Sequence, residues 1–227
     1  MKILLIETAT AVCSVALAEE GRVVARRESD APNAHSTQLA VFVRELTEGG
    51  KPDAVCVSAG PGSYTGLRIG VSSAKGLCYG WSVPLLSVPT LLGMANLYFA
   101  QHPDYHGLVC PMIDARRMEC YTMVVAPGLD VLRPTAADVI TEGIYDEYLN
   151  RGEVTFVGDG AAKTREVLGV HPNARYDTSF RIGAEGMLLL AEEKLRRGDT
   201  EDVAYFEPFY LKDFVAKKSV VHGLRDN

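Results

Sequence analysis

The sequence predicts an α/β fold built from two similar halves. An apolar run at residues 54–59 leads directly into the glycine-rich segment 60–70, which is typical of a buried strand that turns tightly into a helix. A similar order of strands and helices follows the polar segment 101–107, which contains Pro103 and Gly107. A chain of 227 residues is long enough to bury the core of two such units. These observations favour a duplicated α/β architecture.

Short apolar runs define the strands of the first half. Residues 2–6, 12–17 and 23–27 predict three successive strands, of which the second and third form a hairpin. The uncharged run at 54–59 indicates a buried strand, and residues 85–88 predict another short strand.

Apolar residues at helical spacing predict three helices in the first half. Asn33 or Ser36 is the expected N-cap of the first helix, and Gly80 is the expected end of the second. Gly66 and Gly70 keep the second helix slim, so that another helix can approach it closely. The three helices are expected at residues 33–48, 65–80 and 90–100.

The second half repeats this alternation of apolar runs and helical patterns. The segment 184–197 has a helix-forming composition, and Gly198 is placed to end that helix. The turn 158–160 leads into another helix that runs to Leu168. The remaining elements are predicted strands at 108–113, 119–125, 130–133 and 154–157 and a short helix at 144–149.

Composition limits the classes of function. A net charge of −6 with scattered basic residues argues against a chain that grips nucleic acid by itself, because phosphate contacts need clustered Lys and Arg. The five cysteines form no Cys-x-x-Cys pair, so neither a disulfide framework nor a zinc site is indicated. No apolar run approaches the length of a membrane span, and the N-terminus does not resemble a signal peptide. We therefore expect a cytoplasmic protein without membrane association.

The segment 60–70 suggests an anion-binding turn but lacks the known nucleotide motifs. It contains no Gly-Lys-Ser or Gly-Lys-Thr, which a P-loop requires. The dinucleotide fingerprint fails by one position, because Thr65 stands where a third glycine must follow Gly60 and Gly62. Two interpretations stay open: glycines that permit close packing of a helix, or a phosphate site at the helix N-terminus.

Six segments spread along nearly the whole chain match one family in order and spacing. They are residues 3–10, residues 13–17, His35-Ser36 with Leu39, residues 60–70, residues 114–117 with Tyr121, and residues 208–212. In these segments, of which 60–70 is the most specific, the chain resembles the bacterial TsaB family, also called YeaZ.

The resemblance implies an actin-like ATPase fold, that of the sugar kinase and heat-shock ATPase superfamily, with two related α/β lobes of ribonuclease-H-like topology. The lobes are expected at residues 1–104, which carry the partner-binding helices, and 105–227, whose C-terminal tail can return to the first lobe. Members act as the non-catalytic dimerisation subunit in forming N6-threonylcarbamoyladenosine on tRNA. The implied partners are the catalytic paralogue TsaD, which the subunit binds and activates, and the ATPase TsaE. A homodimer is expected when the chain is alone, and tRNA is contacted only indirectly.

The resemblance also implies a partner-binding face on the first lobe. The helices that begin near His35 and Thr65 would pack against the equivalent helices of the paralogue. The residues assigned to this face are His35, Leu39, Phe42, Val43, Leu67, Arg68, Val71, Ser72 and Lys75.

Catalytic chemistry is expected to be lost. Active members of the superfamily have an aspartate at the end of the first strand, whereas this chain has Glu7, so a carboxylate survives. The paralogue's His-x-x-x-His metal site is reduced to one imidazole, because Leu39 stands four positions after His35. We expect no catalytic residue, no metal and no cofactor, with ATP or ADP admitted only at the partner interface. A vestigial nucleotide site would comprise Glu7, Thr8, Gly60, Gly62, Gly158, Asp159 and Gly160.

Two other functions stay open. A free-standing kinase or ATPase of the same superfamily could act through Glu7 and the glycine turns. A glycoprotease-like metallopeptidase fits less well, because His35 and Ser36 are adjacent on a helix and cannot face each other as base and nucleophile.

Overall fold

The computed structural model describes residues 1–212, in which ten strands form two five-stranded sheets. The first sheet contains β1 (Lys2–Glu7), β2 (Cys13–Glu19), β3 (Arg22–Ser29), β4 (Ala54–Ser58) and β5 (Leu85–Val88). The second sheet contains β6 (Leu108–Asp114), β7 (Glu119–Ala126), β8 (Asp130–Val139), β9 (Val154–Val157) and β10 (Ala174–Asp177).

The two sheets have the same topology. The spatial order is β3-β2-β1-β4-β5 in the first and, read from the equivalent edge, β8-β7-β6-β9-β10 in the second. In each sheet the first three strands in sequence pair antiparallel, and the last two add in parallel. The duplicated α/β architecture predicted from the sequence is therefore confirmed.

Helices cover both faces of the first sheet because alternate residues of its strands point to opposite sides. Leu4 and Ile6 of β1 contribute to the core beneath the first helices, whereas Ile3 and Leu5 contribute to the core on the other face. The helices are α1 (Ala34–Thr37), α2 (Leu39–Thr47), α3 (Tyr64–Trp81), α4 (Thr90–Gln101), α5 (Asp146–Leu149), α6 (Ala161–Leu168) and α7 (Leu188–Arg197). None of these helices, which lie within residues 1–212, combines the length and apolarity needed to cross a membrane.

The halves exchange helices across the middle of the molecule. The first-half helix α4 packs on β6 and β7 of the second sheet, while α7 and the 3-10 turn Ala184–Met187 cover the first sheet. The exchanged elements meet where a Cβ on Gly186 would lie 2.4 Å from the Gly93 carbonyl oxygen. Asn96 Nδ2 also donates to the Gly186 carbonyl oxygen at 2.7 Å. The two lobes therefore share one continuous packing arrangement.

Several predicted elements differ from the structure at their ends. The first predicted helix is broken at Gln38 into α1 and α2, and α3 passes Gly80 and ends at Trp81 with Ser82 in the left-handed region. The predicted helix 184–197 begins instead as a 3-10 turn. Strand β8 extends beyond residue 133, and β10 was not predicted because its four residues are mostly polar.

The described part of the C-terminal tail, residues 199–212, returns to the first lobe. Glu201 N–H donates to the Leu85 carbonyl oxygen at 2.8 Å, and Phe209 N–H donates to the Ala59 carbonyl oxygen at 2.7 Å. The expected lobe boundary between residues 104 and 105 stays a prediction, and residues 213–227 of the expected second lobe lie outside the described residues.

The glycines of α3 differ sharply in their surroundings, which predicts opposite effects of adding a methyl group. A Cβ on Gly70 would lie 2.1 Å from Thr8 Oγ1, whereas a Cβ on Gly76 would have nothing within 4 Å. We expect Gly70→Ala to lower the free energy of unfolding by about 1–3 kcal/mol through overpacking. The control Gly76→Ala should raise it by up to about 1 kcal/mol through helix propensity. Urea titrations followed by circular dichroism measure both, and a Gly70→Ala protein as stable as the native one would contradict this packing.

Candidate functional site

The candidate site is the cleft between the two lobes, with a volume of about 690 Å³. The first lobe contributes the loop 9–11 after β1, the segment 30–35 and the turn 62–65 that precedes α3. The second lobe contributes residues 113–116, Tyr121 and Asp159, and the tail contributes residues 210–212. Of the predicted vestigial nucleotide residues, Gly62 and Asp159 line this cleft.

The glycine turn before α3 is filled by the protein's own backbone. A Cβ on Gly62 would lie 2.4 Å from the Ala9 carbonyl oxygen, and a Cβ on Gly66 would lie 2.1 Å from that of Thr8. Gly60 has a φ of +105°, and a Cβ there would lie 2.6 Å from the Phe209 carbonyl oxygen. These glycines are needed because other backbone segments approach so closely.

Three backbone N–H groups in this segment, those of Gly60, Ser63 and Gly66, have partners inside the protein. Gly60 N–H donates to Thr90 Oγ1 at 3.0 Å, and Ser63 N–H donates to the Ala9 carbonyl oxygen at 2.7 Å. Ser63 caps α3, since its Oγ accepts from Gly66 N–H at 3.2 Å. A phosphate at this helix N-terminus would need such groups free, so the geometry favours close packing over a phosphate site. A nucleotide role for Gly60 and Gly62 stays a prediction.

Glu7 is buried beneath the loop that follows β1 rather than exposed in the cleft. Its Oε1 accepts from Ala9 N–H at 2.6 Å and from Ser58 Oγ at 2.9 Å. Burial raises the pKa of Glu7 from 4.5 to about 7, although these hydrogen bonds oppose the shift. The adjacent Thr8 is also buried, and its Oγ1 has no hydrogen-bond partner within residues 1–212. Glu7 thus fixes the loop after β1, and the Thr8 side chain lies against Gly70 of α3.

The second lobe has an equivalent glycine turn after β9. A Cβ on Gly158 would lie 2.4 Å from the Met112 carbonyl oxygen, and Gly160 N–H donates to that same oxygen at 3.1 Å. Asp159 Oδ1 accepts from Asp114 N–H at 3.0 Å, and desolvation raises the pKa of Asp159. This turn therefore packs on the end of β6 as the first turn packs on the loop after β1.

The carboxylate of Asp114 is held by a cation of its own chain. Lys163 Nζ forms an ion pair with Asp114 Oδ1 and donates to the Glu119 carbonyl oxygen at 2.7 Å. Partial burial would raise the pKa of Asp114, but the bonds from Lys163 and from Arg116 N–H lower it below the usual value. Asp114 is therefore charged and neutralised internally. Within residues 1–212, no group of three or more His, Cys, Asp or Glu side chains has the arrangement of a metal site.

The residues assigned to the partner-binding face divide into three groups. Leu39, Phe42, Val43, Leu67 and Val71 are buried in the protein's own core, so they offer no contact surface in this conformation. His35 is half-buried and lines the cleft, and the ammonium group of Lys75 is bonded to the tail. Arg68 and Ser72 are exposed on α3. The assignment of all nine residues to a partner stays a prediction.

Sequence reasoning missed the contacts that depend on distant segments. The bond of Lys75 to the tail and the pair formed by Asp114 and Lys163 join residues 49 or more positions apart. The family-matching segments 114–117 and 208–212 could have indicated that the tail and the second lobe meet, because parts of both line the cleft in the structure.

The architecture defines the class of protein. A ROK family protein from Streptococcus pneumoniae TIGR4, solved in complex with sucrose, has a TM-score of 0.53 and 8% identity to this chain. The match covers 87% of this chain and 100% of that one and concerns the fold alone. The chain is thus a two-lobed α/β protein with the actin-like ATPase fold.

Closer relatives define the family. YeaZ from Pseudomonas aeruginosa has a TM-score of 0.81 and 28% identity, covering 92% of this chain and 99% of that one. The tRNA threonylcarbamoyladenosine biosynthesis protein TsaB of Escherichia coli (strain K12) is 32% identical over 230 residues, 97% of this chain and 98% of that protein. Residues 28–220 match the family model described as TsaD: tRNA N6-adenosine threonylcarbamoyltransferase. The chain belongs to the TsaB family.

The buried Glu7 predicts a specific dependence of stability on pH. Because its pKa is about 7 in the folded protein and near 4.5 otherwise, the folded state holds this proton more tightly. The contribution of this bound proton to the free energy of unfolding is complete below pH 4.5 and is lost as the pH rises through about 7. We expect the stability of Glu7→Gln, relative to the native protein, to rise by about 2–3 kcal/mol between pH 5 and pH 8.

Urea titrations across this pH range measure the difference. Glu48→Gln, at the exposed end of α2, is the matched control and should follow the native protein. A Glu7→Gln curve that runs parallel to the native one would show that folding does not raise the pKa of Glu7.

Proposed function

We propose that this chain is a non-catalytic scaffold subunit that binds and activates a TsaD-type threonylcarbamoyltransferase in forming N6-threonylcarbamoyladenosine on tRNA. The Escherichia coli relative bears the name of a protein of this biosynthesis, and the matching family model bears that of the transferase. The non-catalytic role rests on one observation: the glycines of the turn before α3, and the N–H groups of Gly60 and Gly66, contact other parts of the same chain.

Two of the carboxylates in or near the cleft support the same proposal. A kinase or ATPase of this fold needs accessible acids that place magnesium beside the phosphates. Glu7 is buried and bonded to Ser58, and Asp114 is paired with Lys163. The proposal of a free-standing kinase or ATPase is therefore less well supported than that of a scaffold.

The exposed side of α3 is the surface that we assign to the paralogue. Arg68, Ser72 and Gly76 are exposed, and the small residues among them allow a helix of another chain to approach at short range. A specific interface of standard size buries about 1,600 Å² in total. The same patch could pair with a second copy of this chain across a two-fold axis, so the homodimer and the heterodimer would compete.

The other partners follow from the charge of the chain. With a net charge of −6, the scaffold leaves most phosphate contacts with tRNA to the paralogue. A TsaE-type ATPase would associate with the assembled pair, and any ATP or ADP would lie at the partner interface.

Added bulk on the exposed side of α3 is expected to weaken association with the paralogue without preventing the chain from folding. Ser72→Trp and Gly76→Arg should each weaken binding to the paralogue at least about tenfold, because they obstruct close helix packing. Isothermal titration with the purified paralogue measures the affinity. Gly76→Ala and Ala162→Trp, the latter at an exposed position of α6, are the controls and should bind normally. Normal binding by Ser72→Trp and Gly76→Arg would exclude this side of α3.

Depletion of the protein in its host is expected to lower the N6-threonylcarbamoyladenosine content of tRNA. Mass spectrometry of nucleosides from digested tRNA measures that content. A gene encoding Ala162→Trp should restore the modification, whereas one encoding Ser72→Trp should not, because the paralogue would no longer be engaged. An unchanged content of the modified nucleoside after depletion would contradict the proposed role.

A further inference from the structure

Exposed aromatic side chains lie along α3 and the tail. Tyr79 and Tyr205 are 84% and 83% exposed, and Phe209 and Tyr210 are 47% and 37% exposed. Large aromatic side chains gain much free energy when buried and are enriched in the anchors of protein interfaces. Their concentration around one helix therefore calls for an explanation beyond the stability of the monomer.

One side of α3 carries a continuous row of polar and aromatic residues. Tyr64, Arg68, Ser72, Lys75 and Tyr79 follow one another at spacings of three or four residues, which places them on one side of the helix. The Arg68 guanidinium lies 5.6 Å from the centroid of the Tyr64 ring. With a rise of about 1.5 Å per residue, the row is about 22 Å long.

The tail is fastened to this row by Lys75. Its Nζ donates to the carbonyl oxygens of Ala204 and Phe206, at 3.0 Å each. These two residues flank Tyr205, and Tyr79 lies one helical turn beyond Lys75. Lys75 thus holds the backbone on both sides of the exposed Tyr205 beside α3, one helical turn from the exposed Tyr79.

The tail reaches the other end of the row a few residues later. The rings of Tyr64 and Tyr210 have centroids 4.8 Å apart, and Phe209 N–H is bonded to the Ala59 carbonyl oxygen. The tail therefore runs beside α3 in the opposite direction to the helix and is held at both ends. We name this composite surface the aromatic band, and its members are Tyr64, Arg68, Tyr79, Tyr205, Phe209 and Tyr210.

We propose that the aromatic band is part of the surface that binds the TsaD-type paralogue, with Tyr79 and Tyr205 as anchors at one end. This inference rests on the proposed function and extends its surface from α3 to the tail. The band is continuous with that surface, because Arg68 belongs to both and Ser72 lies within the row. Lys75 is a positioning residue, since it acts on the partner through the tail.

The path of the tail favours another chain, rather than the tail itself, as the segment that covers the aromatic band. Beyond Tyr210 the described tail leaves the band, and Lys212 forms an ion pair with Glu119 of the second lobe. Arg68 forms no ion pair with residues 1–212, so its charge is available to a partner carboxylate. A partner surface complementary to the band would carry apolar pockets for the aromatic rings, surrounded by acidic side chains.

Substitution of the two anchors tests the proposal with the full-length chain. Tyr79→Ser and Tyr205→Ser should each weaken binding to the purified paralogue by about tenfold or more in isothermal titration, as truncated anchors do. Val170→Ser, at a position that is 80% exposed at the end of α6, is the matched control and should bind normally. Normal affinity of both tyrosine variants, while Ser72→Trp still fails to bind, would overturn the band and leave the proposed function intact.

A double-mutant cycle tests the positioning role of Lys75. Lys75→Met keeps most of the apolar stem and removes the ammonium group that holds the carbonyl oxygens beside Tyr205. It should weaken binding of the native chain severalfold but add little to the loss in Tyr205→Ser, because both changes remove the same anchor. Losses that multiply independently would contradict coupling through Tyr205.

The chemical accessibility of Tyr79 and Tyr205 distinguishes which chain or segment covers the aromatic band. Tyr79 and Tyr205 of the full-length chain, at a concentration where it is monomeric, should react readily with tetranitromethane and should be protected once the paralogue is added. Peptide mass spectrometry locates the nitrated residues. Protection in the isolated monomer would assign the band to residues 213–227, and protection that appears only with rising protein concentration would assign it to a second copy. Either result, or the absence of protection in the complex, would overturn the proposal.

Discussion

The close approach of α3 to the loop after β1 is the constraint on which the first lobe depends. Gly66 and Gly70 bring the helix onto the backbone and side chain of Thr8, at distances that no side chain could occupy. Beneath this contact the buried Glu7 bonds to Ala9 N–H and Ser58 Oγ and so joins the loop to β4. The position of α3, and hence of every residue that it exposes, is set by this packing.

The same close packing of a glycine turn against nearby backbone appears in both lobes. The turn around Gly158 packs on Met112 of β6, in the position that corresponds to the first turn packing on the loop after β1. Close backbone contact and phosphate binding both demand glycine, but they compete for the same space and the same N–H groups. At both turns, backbone of the same chain occupies the space beside the glycines.

The sequence predicted the strands of both sheets except β10, together with the duplication, because apolar runs and turn residues are local signals. It could not decide whether Leu39, Val43 and Val71 belong to the monomer's own core or to a partner interface, since periodicity marks an apolar side of a helix without saying what covers it. It also could not assign Lys75, whose partners lie 129 and 131 positions away. The family resemblance supplied the fold, while only the structure separated buried from exposed residues of α3.

The exchange of helices between the sheets fixes the shape of the surface of the first lobe. Because α7 covers the first sheet and α4 covers the second, neither sheet has a complete core without the other half of the chain. The contact of Gly186 with the Gly93 backbone leaves no room for the exchanged elements to slide past each other. The tail that follows α7 then begins at a fixed point and reaches α3 with a defined register. A surface built in this way from both halves of the chain is preorganised, which lowers the cost of binding a partner.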